Sequence, residues 1–172
     1  MIIYAIIILA IISRFVPHMP NVGLVTALAI FSAANMDWKK SFGITLATRF
    51  VSDIFLGFFA WPLMLAVYAS HLAGILFGVW IKRTSNHRWL KIIASSLGAS
   101  VVFFLVTNFA YLYAEYPHNF VGIILAYTNG LPFLRGTMIG DVGYSVALFG
   151  VYQLAMYLKS KKSATKFLIP NS

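Results

Sequence analysis

The sequence predicts an all-α integral membrane protein. It is read as a single domain over residues 1–172, a bundle of six transmembrane helices with a short interfacial or re-entrant helix before the last span. Composition is the first ground for this. The 172 residues are 60% hydrophobic and only 10% charged, and a mean hydropathy of +0.84 lies well outside the range of a soluble globular domain. Spacing is the second: apolar segments near the length of about 20 residues that crosses a bilayer recur along the chain and leave little sequence for a soluble module. The third is the placement of charge, because the basic residues collect in alternate connections.

The first apolar run, "MIIYAIIILAIIS", has the core of a signal peptide. It lacks a basic region before it and a small-residue cleavage site after it, so it is read as a retained helix. Span one covers about 2–16, where Pro17 ends it, and span two about 22–36. At about 1.5 Å per residue both are short for a hydrocarbon core of about 30 Å and are expected to reach into the interface. Spans three and four, about 42–59 and 62–81, form a tight hairpin turned at Trp61 and Pro62. Span five, about 90–113, ends in "YLYAEY", an aromatic cluster suited to the headgroup level. The apolar run 120–128 is too short to cross and precedes a Gly-Leu-Pro break, which marks the interfacial or re-entrant helix and hints at a cavity wall. Span six covers about 137–158, and a basic tail, 159–172, follows.

Six spans place both termini on one side. Ten of the 13 basic residues fall there: Lys39, Lys40, Lys82, Arg83, Arg88, Lys91, Lys159, Lys161, Lys162 and Lys166. The excess of basic residues on cytoplasmic loops makes that side the interior of a bacterial plasma membrane. The net charge of +9 thus has a topological origin, and nucleic acid, which needs a soluble basic face, is set aside as a partner. Membrane lipid is the partner of the tail "KSKKSATK", a stop-transfer flank. The opposite face receives "RFVPHMPN", the turn at 59–62 and the connection 115–136, with His18, Asn21, His118, Asn119, Asn129 and Arg135. That surface is polar and poor in net charge, suited to meeting something small.

Arg49 and Asp53 stand four apart and so share a helix face, where they form an intramembrane ion pair. An ionisable group inside a span costs about 2.5–3.5 kcal/mol, so the pair either serves function or orients span three. Gly57 nearby could allow close approach of a backbone or ligand. Asp141, near the start of span six, shares a face with Tyr144 and Ser145, and the helix dipole eases its charge. It is either a ligand contact or a charge-balancing group partnered by Arg135. His71 is read as a neutral, hydrogen-bonded packing residue. Asn108 is expected to bond across helices, with Tyr111 on its face. Gly74 and Gly78, and Gly136 and Gly140, are GxxxG pairs that mark close helix packing, as do Ala29 and Ala33. Tyr68, Tyr111, Tyr127, Phe133 and Tyr144 offer stacking surface for a ring.

Enzymes have no visible machinery here. The sequence has no HExxH, no GxSxG, no Gly-rich phosphate loop and no pair of histidines at ligand spacing, and zero cysteines remove thiolate chemistry. No cofactor or metal is implied, and the protein is not expected to be an enzyme.

The motifs "SRFVPHMPN", "ALAIF", "SDIFLG", "FFLVTNF", "GLPFLRGTMIGD" and "YSVALFG" occur in this order. With them the chain resembles an uncharacterised bacterial family of small integral membrane proteins, which in turn looks like the substrate-binding (S) components of energy-coupling-factor (ECF) vitamin transporters. The resemblance covers about residues 13–150. It implies a six-helix S-component bundle with an outward pocket, closed by loops near 17–21 and by the connection before span six. The positions that match the family's motifs are His18, Asn21, Asp53, Asn108, Pro132, Phe133 and Asp141. It further implies uptake of a small organic micronutrient, a vitamin or precursor, with an ECF coupling subunit and ATPases as partners. Such proteins dock through small residues on the first helix, often Ala-x-x-x-Ala. Here Ala5 and Ala10 share no stripe, and Ala29 and Ala33 in span two are the better pair. Arg135 stands where the family leads one to expect an uncharged polar residue, which makes an anionic group on the ligand conceivable. Two further readings stay open. One is a solitary ion- or proton-coupled transporter using Arg49, Asp53, His71 and Asp141. The other is a structural or assembly protein held by its GxxxG pairs.

Overall fold

The sequence "VTALAIFSAAN" is small or apolar on every side, the pattern of a helix with no face for solvent. In a computed structural model of the chain, which describes residues 2–13, 23–83 and 86–168, this segment is the helix at the centre. The described residues form α1 (Ile2–Ser13), α2 (Val25–Asn35), α3 (Trp38–Leu56), α4 (Trp61–Arg83), α5 (Arg88–Thr107), a 3-10 turn (Ala110–Leu112) and α6 (Phe120–Leu168). No strand occurs among them. Ten of the 11 residues of α2 are buried, and it touches each of the other five α-helices. Its Phe31 meets Phe149 and Tyr152 edge-on, with ring centroids 5.3 and 5.7 Å apart. Ile30, Ile81, Ile92 and Ala99 complete that core, and Ile7, Leu24 and Leu28 form a second cluster beside it.

The closest helix contact joins two of the small-residue pairs expected from sequence. Gly74 and Gly78 of α4 lie against Ala29 and Ala33 of α2: a Cβ built on Gly74 would stand 3.1 Å from that of Ala29, and one on Gly78 2.7 Å from that of Ala33. This uses up Ala29 and Ala33, each 0% exposed. They are therefore not available to dock a partner subunit, which corrects that part of the sequence reading. Of the other pair, Gly140 is buried and Gly136 half-buried.

Element ends differ from the expected spans for local reasons. Helix α3 begins at Trp38, before the expected 42, because Asp37 caps it, its carboxylate accepting the Lys39 amide at 3.0 Å. It stops at Gly57, whose φ of 97° few other residues adopt. Nothing lies within 4 Å of a Cβ at Gly57, so this glycine serves the turn rather than a close approach. Pro62 sits in the first turn of α4, where its missing N–H is no loss. Helix α5 ends at Thr107, not 113, and "YLYAEY" falls in the 3-10 turn and the connection after it.

The largest departure is α6. The expected re-entrant helix and last span are one helix of 49 residues, about 74 Å long. Asn119 starts it, accepting the Gly122 amide at 3.0 Å on its side chain. Pro132 stays inside it at an exposed position and forfeits one backbone hydrogen bond, a loss the many bonds of so long a helix outweigh. The run 120–128 is thus the first part of α6 and not a separate element. Helix α2, at 11 residues, lies within the expected span 22–36 and is four residues shorter. Among the described residues α4 and α5 are long and apolar enough to cross a bilayer.

Polarity runs inside out. Helix α5 buries Ser95, Ser96, Ser100 and Thr107 while Leu90, Ile93, Leu97, Val101 and Leu105 face outward, and α3 buries Ser41, Thr45, Thr48, Ser52 and Asp53 while Phe42, Phe50, Ile54 and Phe55 are exposed. Exposed apolar surface on this scale is foreign to a soluble monomer.

Candidate ligand-binding site

The charged side chains set the two ends of the bundle. Lys82 donates to the Met36 carbonyl at 2.7 Å and Arg88 to the Asn35 side-chain oxygen at 3.3 Å, while the Arg88 guanidinium lies 5.7 Å from the Phe149 ring centre. These contacts bring the ends of α2 and α4 and the starts of α3 and α5 into one basic rim. A cavity of about 640 Å³ opens at the other end, between the start of α4, the end of α5, the connection 108–119 and the first half of α6. Its rings are Phe59, Phe103, Phe104 and Phe133; Thr107, Asn108, Asn129 and Thr137 are its small polar groups; Tyr113, Glu115 and Tyr116 come from the connection.

The cavity exists because α5 stops short and its end is closed by side chains. The last carbonyls of a helix have no partner within it. Here Phe104 O receives the Asn108 backbone amide at 3.1 Å and its side-chain Nδ2 at 2.9 Å, Leu105 O receives the Tyr127 hydroxyl at 2.7 Å, and Thr107 O receives the Tyr113 hydroxyl at 2.6 Å. Asn108 therefore bonds within its own helix end, not across helices as expected, although its amide sits directly on Gly130 of α6, where any side chain would collide with it. Burial, then the neighbouring Tyr116 and Glu115, push the Tyr113 phenol above its usual 10.0.

Behind the Phe59 wall lies the expected ion pair. Arg49 Nε donates to Asp53 Oδ2 at 2.9 Å, and the Tyr68 hydroxyl donates to the same oxygen at 2.9 Å. The guanidinium stands 5.6 Å from the Phe59 ring centre and 5.9 Å from that of Tyr68, so two rings and a carboxylate share one charge.

Below the floor, one helical turn past Thr137, is Asp141. It lies well inside α6 rather than at a helix start, so the helix dipole does not hold it; hydroxyls do. Ser100 donates to Asp141 Oδ2 at 2.7 Å, and the Thr26 side chain also bonds it. Thr26 Oγ1 in turn lies 3.0 Å from His71 Nδ1, and the His71 ring rests on Phe103 with centroids 5.2 Å apart. One turn further, Ser96 donates to Ser145 at 2.9 Å. His71 is thus buried, hydrogen-bonded and packed on a ring.

The other expected contacts separate by position. Asn108 and Phe133 line the cavity, while Asp53 and Tyr68 stand behind its wall and Asp141 beneath it. Tyr127 closes α5. Tyr111 stacks between Phe109 and His118 at 5.0 and 4.7 Å and donates to the His118 carbonyl. Arg135 is exposed and off the cavity, partnering neither it nor Asp141, because α6 turns that position outward. Tyr144 packs against the Ile7, Leu24 and Leu28 cluster, and it is Ser145 that shares Asp141's polar face. His18 and Asn21 lie outside the described residues. Sequence reasoning missed Phe103, Thr107, Glu115 and Thr137. Thr107 adjoins Asn108 and Thr137 precedes Asp141 by one turn, which was the available signal. The Family of unknown function (DUF6580) has a model that matches residues 1–165 of the chain. No curated protein and no solved structure matches it.

Proposed function

Because the chain belongs to this family of unknown function over nearly its whole length, the reading rests on the site, and we propose that the protein is a membrane-embedded binding component for a small, ring-bearing organic molecule. Exposed apolar faces over buried serines and threonines support placing the bundle in a membrane as six helices. Among the described residues, α4 and α5 are each long and apolar enough to cross a bilayer. The basic rim supports a cytoplasmic assignment for that end and for both termini. The observation that carries the reading is the position of the cavity: about 640 Å³, ringed by phenylalanines and convergent amides, at the end remote from the basic rim. A ligand taken there comes from outside, as in the S components the sequence resembles, and is passed inward without chemical change. The micronutrient class, with a coupling subunit and ATPases as partners, follows from that resemblance.

Native mass spectrometry of the gently purified protein tests this. A co-purifying small molecule, lost in a Phe133→Ala variant, supports the reading, and associated ATPases give the energy source. A protein that emerges empty, and whose cavity variants behave like wild type, counts against it. The hydrogen-bonded run from His71 through Thr26 to Asp141 favours a second reading, a solitary proton-coupled transporter. That reading requires uptake in vesicles to respond to an imposed pH gradient.

A further inference from the structure

Resting on that reading of the cavity as a ligand site, we infer that its ligand is an organic cation carrying N–H groups, such as a protonated amine, an amidine or an aminated heteroaromatic ring. Hydrogen-bond accounting is the ground. A threonine hydroxyl has one hydrogen, and Thr107 gives its own to the Phe103 carbonyl at 2.8 Å, Thr137 its own to the Phe133 carbonyl at 3.1 Å. Tyr113 donates to Thr107 O. Asn108 donates to Phe104 O, and Asn129 donates to the Tyr116 oxygen at 3.2 Å. Apart from the Tyr116 hydroxyl hydrogen and the second Asn129 N–H, the donors around the cavity are engaged with the protein, so its walls offer a ligand mostly oxygens: the hydroxyl of Thr137, that of Thr107, which also accepts from Asn108 Nδ2 at 3.4 Å, the Asn129 carbonyl and the Glu115 carboxylate.

Charge points the same way. Among the described residues that line the cavity Glu115 is the one ionised side chain. The nearest guanidinium, Arg49, is behind Phe59 and paired with Asp53, and Arg135 is turned away from the cavity. The ring faces of Phe59, Phe103, Phe104 and Phe133 carry the negative side of their quadrupoles, which attracts a cation brought within about 6 Å. An anionic ligand, which Arg135 suggested from sequence, would meet mostly acceptors and no counter-charge.

Benzamidine, benzamide and benzoate have nearly the same shape and carry charges of plus one, zero and minus one. Their affinities for the full-length protein in dodecyl maltoside, measured by calorimetry and by thermal shift, test the assignment. Benzamidine is expected to bind at least tenfold more tightly than either analogue. Glu115→Gln, at an exposed position that does not threaten folding, is expected to weaken benzamidine about threefold to tenfold and leave benzamide unchanged. Phe133→Ala is expected to weaken all binding, which locates it in the cavity. Benzamide or benzoate binding as well as benzamidine overturns the cation assignment while leaving the binding-site reading intact. Failure of all three at millimolar concentration also overturns it, and the co-purifying molecule sought by mass spectrometry then decides whether the binding reading survives.

Discussion

Alanine at Gly78 is the sharpest test of how α2 and α4 hold together. The added Cβ would run into the Ile30 carbonyl oxygen and lie 2.7 Å from Ala33 Cβ and 3.1 Å from the Ala34 nitrogen. Carbon atoms rest about 3.5–4.0 Å apart, so the helices must separate by about 1 Å. None of the three has a rotamer with which to yield, since one is a Cβ and the other two are backbone. Overpacking of this kind costs about 1–3 kcal/mol, and the better helix propensity of alanine returns about 1 kcal/mol. The expected net loss is up to about 2 kcal/mol, a fall in Tm of up to about 8 °C for a chain of this size. Gly43 is the control: it is exposed on α3 with nothing within 4 Å, so Gly43→Ala should gain up to about 1 kcal/mol from propensity alone. Gly74→Ala, at 3.1 Å from Ala29 Cβ, should fall between them. Thermal unfolding of the three variants in detergent, followed by tryptophan fluorescence, gives the order. If Gly78→Ala is as stable as Gly43→Ala, the α2–α4 contact is not the tight one described.

Three other perturbations have defined outcomes. Arg49→Leu strands the Asp53 carboxylate, 2% exposed, and should cost about 3–5 kcal/mol, most of it recovered in the Arg49→Leu, Asp53→Leu double variant; equal loss in single and double variants would argue against a buried pair. Ser100→Ala removes the hydroxyl on Asp141 and should cost about 1–3 kcal/mol in the same unfolding assay. Tyr113→Phe should lose about 1 kcal/mol with the bond to Thr107 O, and it also carries a pH signature. With the folded phenol held above 10.0, the unfolded chain gives up its proton first, so this residue's contribution is complete below pH 10 and is lost as pH rises through the folded value. Stability of the wild type above pH 10 should therefore fall more steeply than that of Tyr113→Phe.

The sequence carried the features that depend on local spacing. Arg49 and Asp53 meet because four residues separate them on a helix, and the small residues at 29, 33, 74 and 78 meet because each pair clears a strip wide enough for a backbone. Periodicity could not say where α5 stops. Val106, Leu112 and the aromatic residues between them are as apolar as the helix before them, and the end is set by tyrosines 113 and 127 reaching carbonyls from outside the helix. Pro132 misled in the other direction, since its ring and missing N–H signal a break, whereas α6 runs on through it. The site suffered most from this. With α5 drawn to 113 and α6 begun at 137, Tyr111 and Tyr127 seemed to face a ligand, whereas one supports the connection and the other closes a helix.

The hydrogen bonds that end α5 also determine what its cavity can recognise. Every side chain that satisfies an orphan carbonyl must be a donor, and once spent it turns its lone pairs, not its hydrogens, toward the open space. Asn108 and Tyr113 do this at the helix end, and Thr107 and Thr137 do it against their own helices. An alternative design, with a glycine closing α5, would have left Asn108 and Tyr113 free to donate into the cavity. The choice of side chains rather than backbone to finish one helix thus reaches the chemistry of the site: a preference for donors follows from how α5 stops, and Glu115, close to the tyrosine that closes it, adds the sign.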